Sequence, residues 1–143
     1  MAQMSTLLAA IDTKITALGL VQSPLIMDAR NIPSTGLDRM YSLDLQTSNT
    51  GKDRDKWGGQ MRLAHTLKVR MACVIRPTDQ FTSQKEALDI EEGVIGVLMN
   101  PSNFPAYRIV FTGASRSLSQ SREYIFVELI FNIEGTYLIP EGD

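Results

Sequence analysis

The chain has 143 residues, a formal net charge of −2, 43% hydrophobic residues and 21% charged residues. A chain of that length fits one domain, and it buries about 68–70% of the surface its unfolded form exposes, so a core needs neither disulfides nor a structural metal. The near-neutral balance excludes a whole-molecule field that would recruit nucleic acid or an anionic membrane, and the lone cysteine, Cys73, excludes an intramolecular disulfide.

In chain order, residues 5–18 place Leu7, Leu8, Ile11, Ile15 and Leu18 on a 3.6-residue period, the mark of an amphipathic helix. Ser5 or Thr6 stands where an N-cap belongs, and Gly19 stands where a helix ends. No basic residue precedes Leu7, and Asp12 and Lys14 cut the apolar stretch, so the segment does not read as a secretory signal. Pro24 and Pro33 bracket an irregular connector. Tyr41, Leu43 and Leu45 then alternate with Ser42, Asp44 and Gln46, the pattern of a half-buried strand.

Residues 47–62, TSNTGKDRDKWGGQMR, lose all periodicity and are expected to form a long mobile loop. A strand follows over 63–76. Leu63, Leu67, Val69, Met71, Cys73 and Ile75 share one face with His65, while Thr66, Lys68, Arg70 and Arg76 share the other. A sheet wet on one side writes this alternation. Ser83 and Glu86 match a capping box, which places the start of a second helix over about 84–99. Ala87, Leu88, Ile90, Val94, Val97 and Leu98 point it at a core, and Asp89, Glu91 and Glu92 make its outer side acidic. Gly93 and Gly96 each weaken it by roughly 1 kcal/mol relative to alanine, through close backbone approach or tolerated flexibility. The apolar run Gly93–Met99 is too short to span a bilayer.

Two further strands are predicted over 106–118 and 122–134, joined as a hairpin through Ser117–Ser121, with residues 136–143 as a frayed tail. The expected fold is α+β, in the order α-β-β-α-β-β: a mainly antiparallel twisted sheet flanked by two helices, all in a single domain over 1–143. A strand over 63–76 spans about 46 Å at ~3.3 Å per residue, against a diameter of roughly 37 Å for a compact domain of this size. Strands of that length must bend, break or project past the body as hairpins. Gly113 is the candidate bend.

Chemistry is hard to find in the sequence. His65, the single histidine, falls on an apolar strand face and reads as a satisfied core residue. Cys73 reads as a small core residue. One Cys and one His cannot supply a zinc site unaided, and no P-loop, dinucleotide fingerprint, H-E-x-x-H or nucleophile elbow is present. No catalytic residue, metal ligand or cofactor is therefore expected.

The charges say more. Lys56, Arg62, Lys68, Arg70 and Arg76 follow one another with no acid between them, and Lys68 and Arg70 share a strand face. This is a nucleic-acid patch, one half of a head-to-tail contact whose other half is the acidic helix 86–92, or, as charge alone favours, one of two ordinary solvated surfaces. Trp57 is the large aromatic of the long loop, and such a residue serves equally as an interface anchor or as a side chain folded back onto the core.

The succession of a short N-terminal helix, a strand, a long loop, a long strand ending at Arg76-Pro77, a second helix and a two-stranded hairpin resembles the tail terminator family of long-tailed bacteriophages. Tyr41–Gln46, Leu63–Pro77, Ser83–Met99, Tyr107–Leu118 and Tyr124–Ile133 carry the resemblance, over about residues 5–135. It implies a homohexameric ring, assembled in the host cytoplasm and built into the virion at the tail neck. Such a ring caps the last layer of tail tube protein, stops its polymerisation and meets the head–tail connector. DNA passes through the lumen without specific binding, and no membrane, cofactor or catalysis is involved. The family supplies no motif from which interface residues transfer. The candidates are those of the residue-level reading: Lys52, Arg54, Lys56 and Trp57 in the loop, and Lys68 and Arg70 on the strand. The competing readings are another neck, head–tail joining or tube subunit, a small nucleic-acid-binding module using Lys68, Arg70 and Arg76, and a small enzyme or ligand-binding domain.

Overall fold

A computed structural model of the protein describes residues 3–23, 38–48, 60–76, 78–118 and 123–138. Helix α1 spans Gln3–Thr16 and buries Leu7, Ile11 and Ile15, one residue per turn along a single stripe. It ends in a turn closed by Gly19, whose φ of +87° lies in the left-handed region that glycine enters without a side-chain clash. The ending at Thr16 is two residues short of the sequence expectation and leaves Leu18 exposed.

Five strands follow in one sheet of order β1-β2-β3-β5-β4. Strand β1 (Val21–Gln22) runs parallel to the first two residues of β2 (Met40–Ser48). Strands β3 (Gln60–Val74), β5 (Tyr124–Leu138) and β4 (Tyr107–Leu118) complete the sheet, and every pairing from β2 onward is antiparallel. The fold is α+β, with a mixed, mostly antiparallel sheet and two helices in the order α-β-β-β-α-β-β, which is the expected α-β-β-α-β-β with the short β1 added. The two-residue β1 is an addition that so short a segment could not announce.

One hydrophobic cluster joins Ile11 and Ile15 of α1 and Val94 and Leu98 of α2 (Gln80–Met99) to Leu67, Val69 and Met71 of β3 and Leu129 and Phe131 of β5. Both helices therefore cover the same face of the sheet. The polar face of β3 is not uniformly wet. At one end Met40, Ala72 and Phe126 form a second, smaller buried cluster.

The strand boundaries differ from the sequence reading. Thr47 and Ser48 belong to β2, and Gln60–Arg62 belong to β3, so the loop expected over 47–62 is shorter at both ends. Residues 49–59 lie outside the described residues. Similarly Thr136–Leu138, expected to fray, pair with Gln60–Arg62, and Tyr137 is buried. The physical reason is the same in both places. A ladder partner satisfies the backbone of segments too short to write a strand pattern of their own.

The second helix also starts earlier. Asp79 is its N-cap: one carboxylate oxygen accepts from the Thr82 amide at 3.0 Å and the other from the Thr82 hydroxyl at 2.6 Å. The Ser83–Glu86 capping box does not form. Ser83 lies inside the first turn, buried, donating to the Asp79 carbonyl and accepting from the Arg76 amide. Close backbone approach does not explain Gly93 or Gly96. An added Cβ would touch only the tip of Leu18 at 3.9 Å in the first case and nothing in the second.

The long strands do not break. Strands β3 and β5 each run 15 residues, about 50 Å at ~3.3 Å per residue, while the 20 residues of α2 cover about 30 Å. The sheet is thus longer than its helical cover. Strand β4 carries the register shift between Phe111 and Gly113, at the predicted bend. Past it, Ala114–Leu118 are all exposed.

Candidate interaction surfaces

The structure separates Lys68 and Arg70 in role. Both project from β3 on the face away from the helices. Arg70 is held between two carboxylates, with Nε donating to Glu128 at 2.9 Å and a terminal nitrogen 3.4 Å from Asp44. Its side chain is only 14% exposed. The register explains the clamp: Ser42 and Glu128 are the pairing partners of Arg70 on either side, and Asp44 is the partner of Lys68. The expected basic stripe is therefore neutralised at its centre. Arg76 is likewise paired, with Glu86 at 3.2 Å. The acidic side of α2 is partly spent in the same way, since Glu91 binds Arg116 of β4. Lys52, Arg54, Lys56 and Trp57 lie outside the described residues.

His65 is a core residue, 1% exposed. One ring nitrogen is 2.7 Å from the Tyr137 hydroxyl and the other 3.4 Å from the Thr47 hydroxyl. Burial pushes its pKa below the ordinary 6.5 and pushes the Tyr137 phenol upward. Cys73 is buried among apolar side chains, and burial, reinforced by the charge of Asp38, pushes its thiol up to about 11. So little thiolate at neutral pH makes a poor nucleophile. Tyr41 ties α1 to the sheet. Its hydroxyl donates to the Asp12 carboxylate and meets the Thr16 hydroxyl at 2.8 Å, and burial first, then Asp12, push its pKa up to about 12. Among the described residues no cluster of three His, Cys, Asp or Glu side chains could hold a metal ion. No described helix is long and apolar enough to cross a membrane.

Among the clefts formed by the described residues are two that border β4. One, of about 480 Å³, lies between the first turns of α2 and the far end of β4, with Ile75 and Ile125 in its floor and Gln80, Gln84 and Arg116 at its rim. Among the described residues, no histidine, cysteine or carboxylate lines it. The other, of about 360 Å³, lies among Arg62, Tyr107, Arg108, Glu134 and Thr136. Sequence reasoning missed the exposed apolar groups near the first cleft, Phe81 at 78% and Leu118 at 57%. Phe81 falls just outside the expected helix, and Leu118 follows a register shift that turns the end of β4 toward α2.

It also missed the open sides of the sheet. Among the described strands, β4 has a neighbour on one side only, and β1 covers only Met40 and Tyr41 of β2. Edge position is a property of strand order, which no local pattern writes.

No known family model matches the chain, and no curated protein matches its sequence.

Proposed function

We propose that this protein is a self-assembling structural component of a bacteriophage tail. The specific role is that of a terminator whose hexameric ring caps the tail tube, stops its polymerisation and meets the head–tail connector. The observation that carries the reading is the architecture. The order α-β-β-α-β-β, leaving out the two-residue β1, with a mostly antiparallel sheet and two helices, matches the succession of elements that carries the tail terminator resemblance. The internal pairing of Arg70 and Arg76 supports a protein that lets DNA pass without holding it.

The same pairing weighs against the nucleic-acid module, which needs unneutralised cations on one face. The test is light scattering after size-exclusion chromatography across a concentration series, with negative-stain images of the largest species. Discrete rings that do not lengthen are expected. Open-ended tubes would transfer the assignment to a tube subunit, and retention on DNA that weakens linearly in log salt would transfer it to the nucleic-acid module.

A further inference from the structure

We infer that copies of this chain join by extending their sheets, the outer side of β4 in one copy pairing antiparallel with the outer side of β2 in the next. This deepens the ring reading and rests on its claim of self-association. Strand β4 is 12 residues long and contains neither proline nor lysine, two devices that commonly protect a sheet edge. Only an extended segment satisfies the row of backbone donors and acceptors that such an edge presents.

Direction and charge select β2 as that segment. Strand directions alternate from β2 through β3 and β5 to β4. A neighbour turned about an axis along the strands therefore sets its β2 antiparallel to β4. The charged residues of β4 are Arg108 and Arg116, the latter held by Glu91, whereas the single charged residue of β2 is Asp44, whose carboxylate meets Arg70 at 3.4 Å and has room for a second cation. Pairing β4 with a second β4 would set arginines against arginines, and β2 with a second β2 would meet β1.

The side-chain alternation fixes a register. Arg108 and Asp44 both lie on the face away from the helices, so they can stand opposite one another. Leu43 then stands opposite Ile109, and Leu45 opposite Tyr107, on the helix side, where all four are only half-buried in the single chain. The same register carries Phe111 and Thr112 to Tyr41 and Met40, the two positions that β1 already occupies. Strand β4 breaks register and bends there, so the pairing ends where the edge of β2 is taken. Among the described residues both sides of the one sheet have an edge to offer, which makes the contact heterologous, and a closing rotation turns it into a ring.

The test uses the full chain and two variants that each add one cysteine, Gln46→Cys and Ala106→Cys, which stand opposite each other in this register. Both positions are exposed, and the native Cys73 is buried. Antiparallel partners lie about 4.5–5.5 Å apart at Cα, within disulfide reach. Mixed under oxidising conditions, the two variants should form a disulfide between unlike chains, and each alone should not. In the native chain, Arg108→Glu should raise the concentration at which assembly is half complete by about tenfold, since it sets like charges opposite one another. Assembly without the mixed disulfide, or disulfide-linked Ala106→Cys alone, would overturn this junction and leave the ring reading intact. Neither assembly nor disulfide at any concentration would overturn both.

Discussion

Gly135 lies in β5 directly across from Tyr107 of β4, and the tyrosine ring lies over the place where a side chain would be. A Cβ built on Gly135 would stand 2.5 Å from one ring carbon of Tyr107 and 2.6 Å from the next. Carbon atoms in contact settle at about 3.5–4.0 Å, so the ring would have to retreat by about 1 Å. It cannot retreat freely. Tyr107 packs on Tyr137 with centroids 6.0 Å apart, and Tyr137 is hydrogen-bonded to buried His65.

Gly135→Ala therefore pits two effects against each other. The lost freedom of the unfolded chain stabilises the variant by about 0.4–1 kcal/mol. Overpacking costs about 1–3 kcal/mol. The second is larger, and the net destabilisation should be about 1–2 kcal/mol, seen as a melting temperature lower by roughly 3–8 °C in a chain of this size. Thermal unfolding followed by circular dichroism reads it, provided the transition is reversible. A double-mutant cycle isolates the cause: in a Tyr107→Ala background, Gly135→Ala should cost nothing or stabilise. An unchanged or raised melting temperature in the single variant would refute the packing argument, as would an equal cost in both backgrounds.

Two other predictions concern buried polar groups. Arg70→Met leaves Asp44 and Glu128 facing each other across β3 without their shared cation, and should destabilise the fold by about 1–3 kcal/mol in urea unfolding, whereas Lys68→Met should change little; equal effects would contradict the clamp. His65 is buried with its pKa below 6.5, so the unfolded chain binds the proton more readily than the folded one. Its contribution to stability is therefore full above about pH 6.5 and lost as the pH falls from there toward the lower folded value. Stability measured between pH 7 and 5.5 should fall more steeply in the native protein than in His65→Gln, and parallel curves would exclude this role for His65.

Elements whose signal is local were legible from the order of residues alone. The period of Leu7, Ile11 and Ile15 wrote α1, the alternation through Leu67, Val69 and Met71 wrote β3, and Gly113 marked the bend in β4. These follow from helical and strand geometry acting over a few residues. The start of α2 was less legible, because Asp79 and Ser83 are both good capping residues, and burial of Ser83 against the Arg76 amide selects between them. The rest depends on contacts between segments far apart in the chain. The neutralisation of Arg70 needs residues 26 positions before it and 58 positions after it, brought together by strand register. Gln60–Arg62 and Thr136–Leu138 become strand because they pair with each other across the chain. The placement of β5 between β3 and β4, which leaves β4 at the edge, is a choice of partners among strands. Pairing energy depends on which backbones and side chains meet, and that information resides in no single segment.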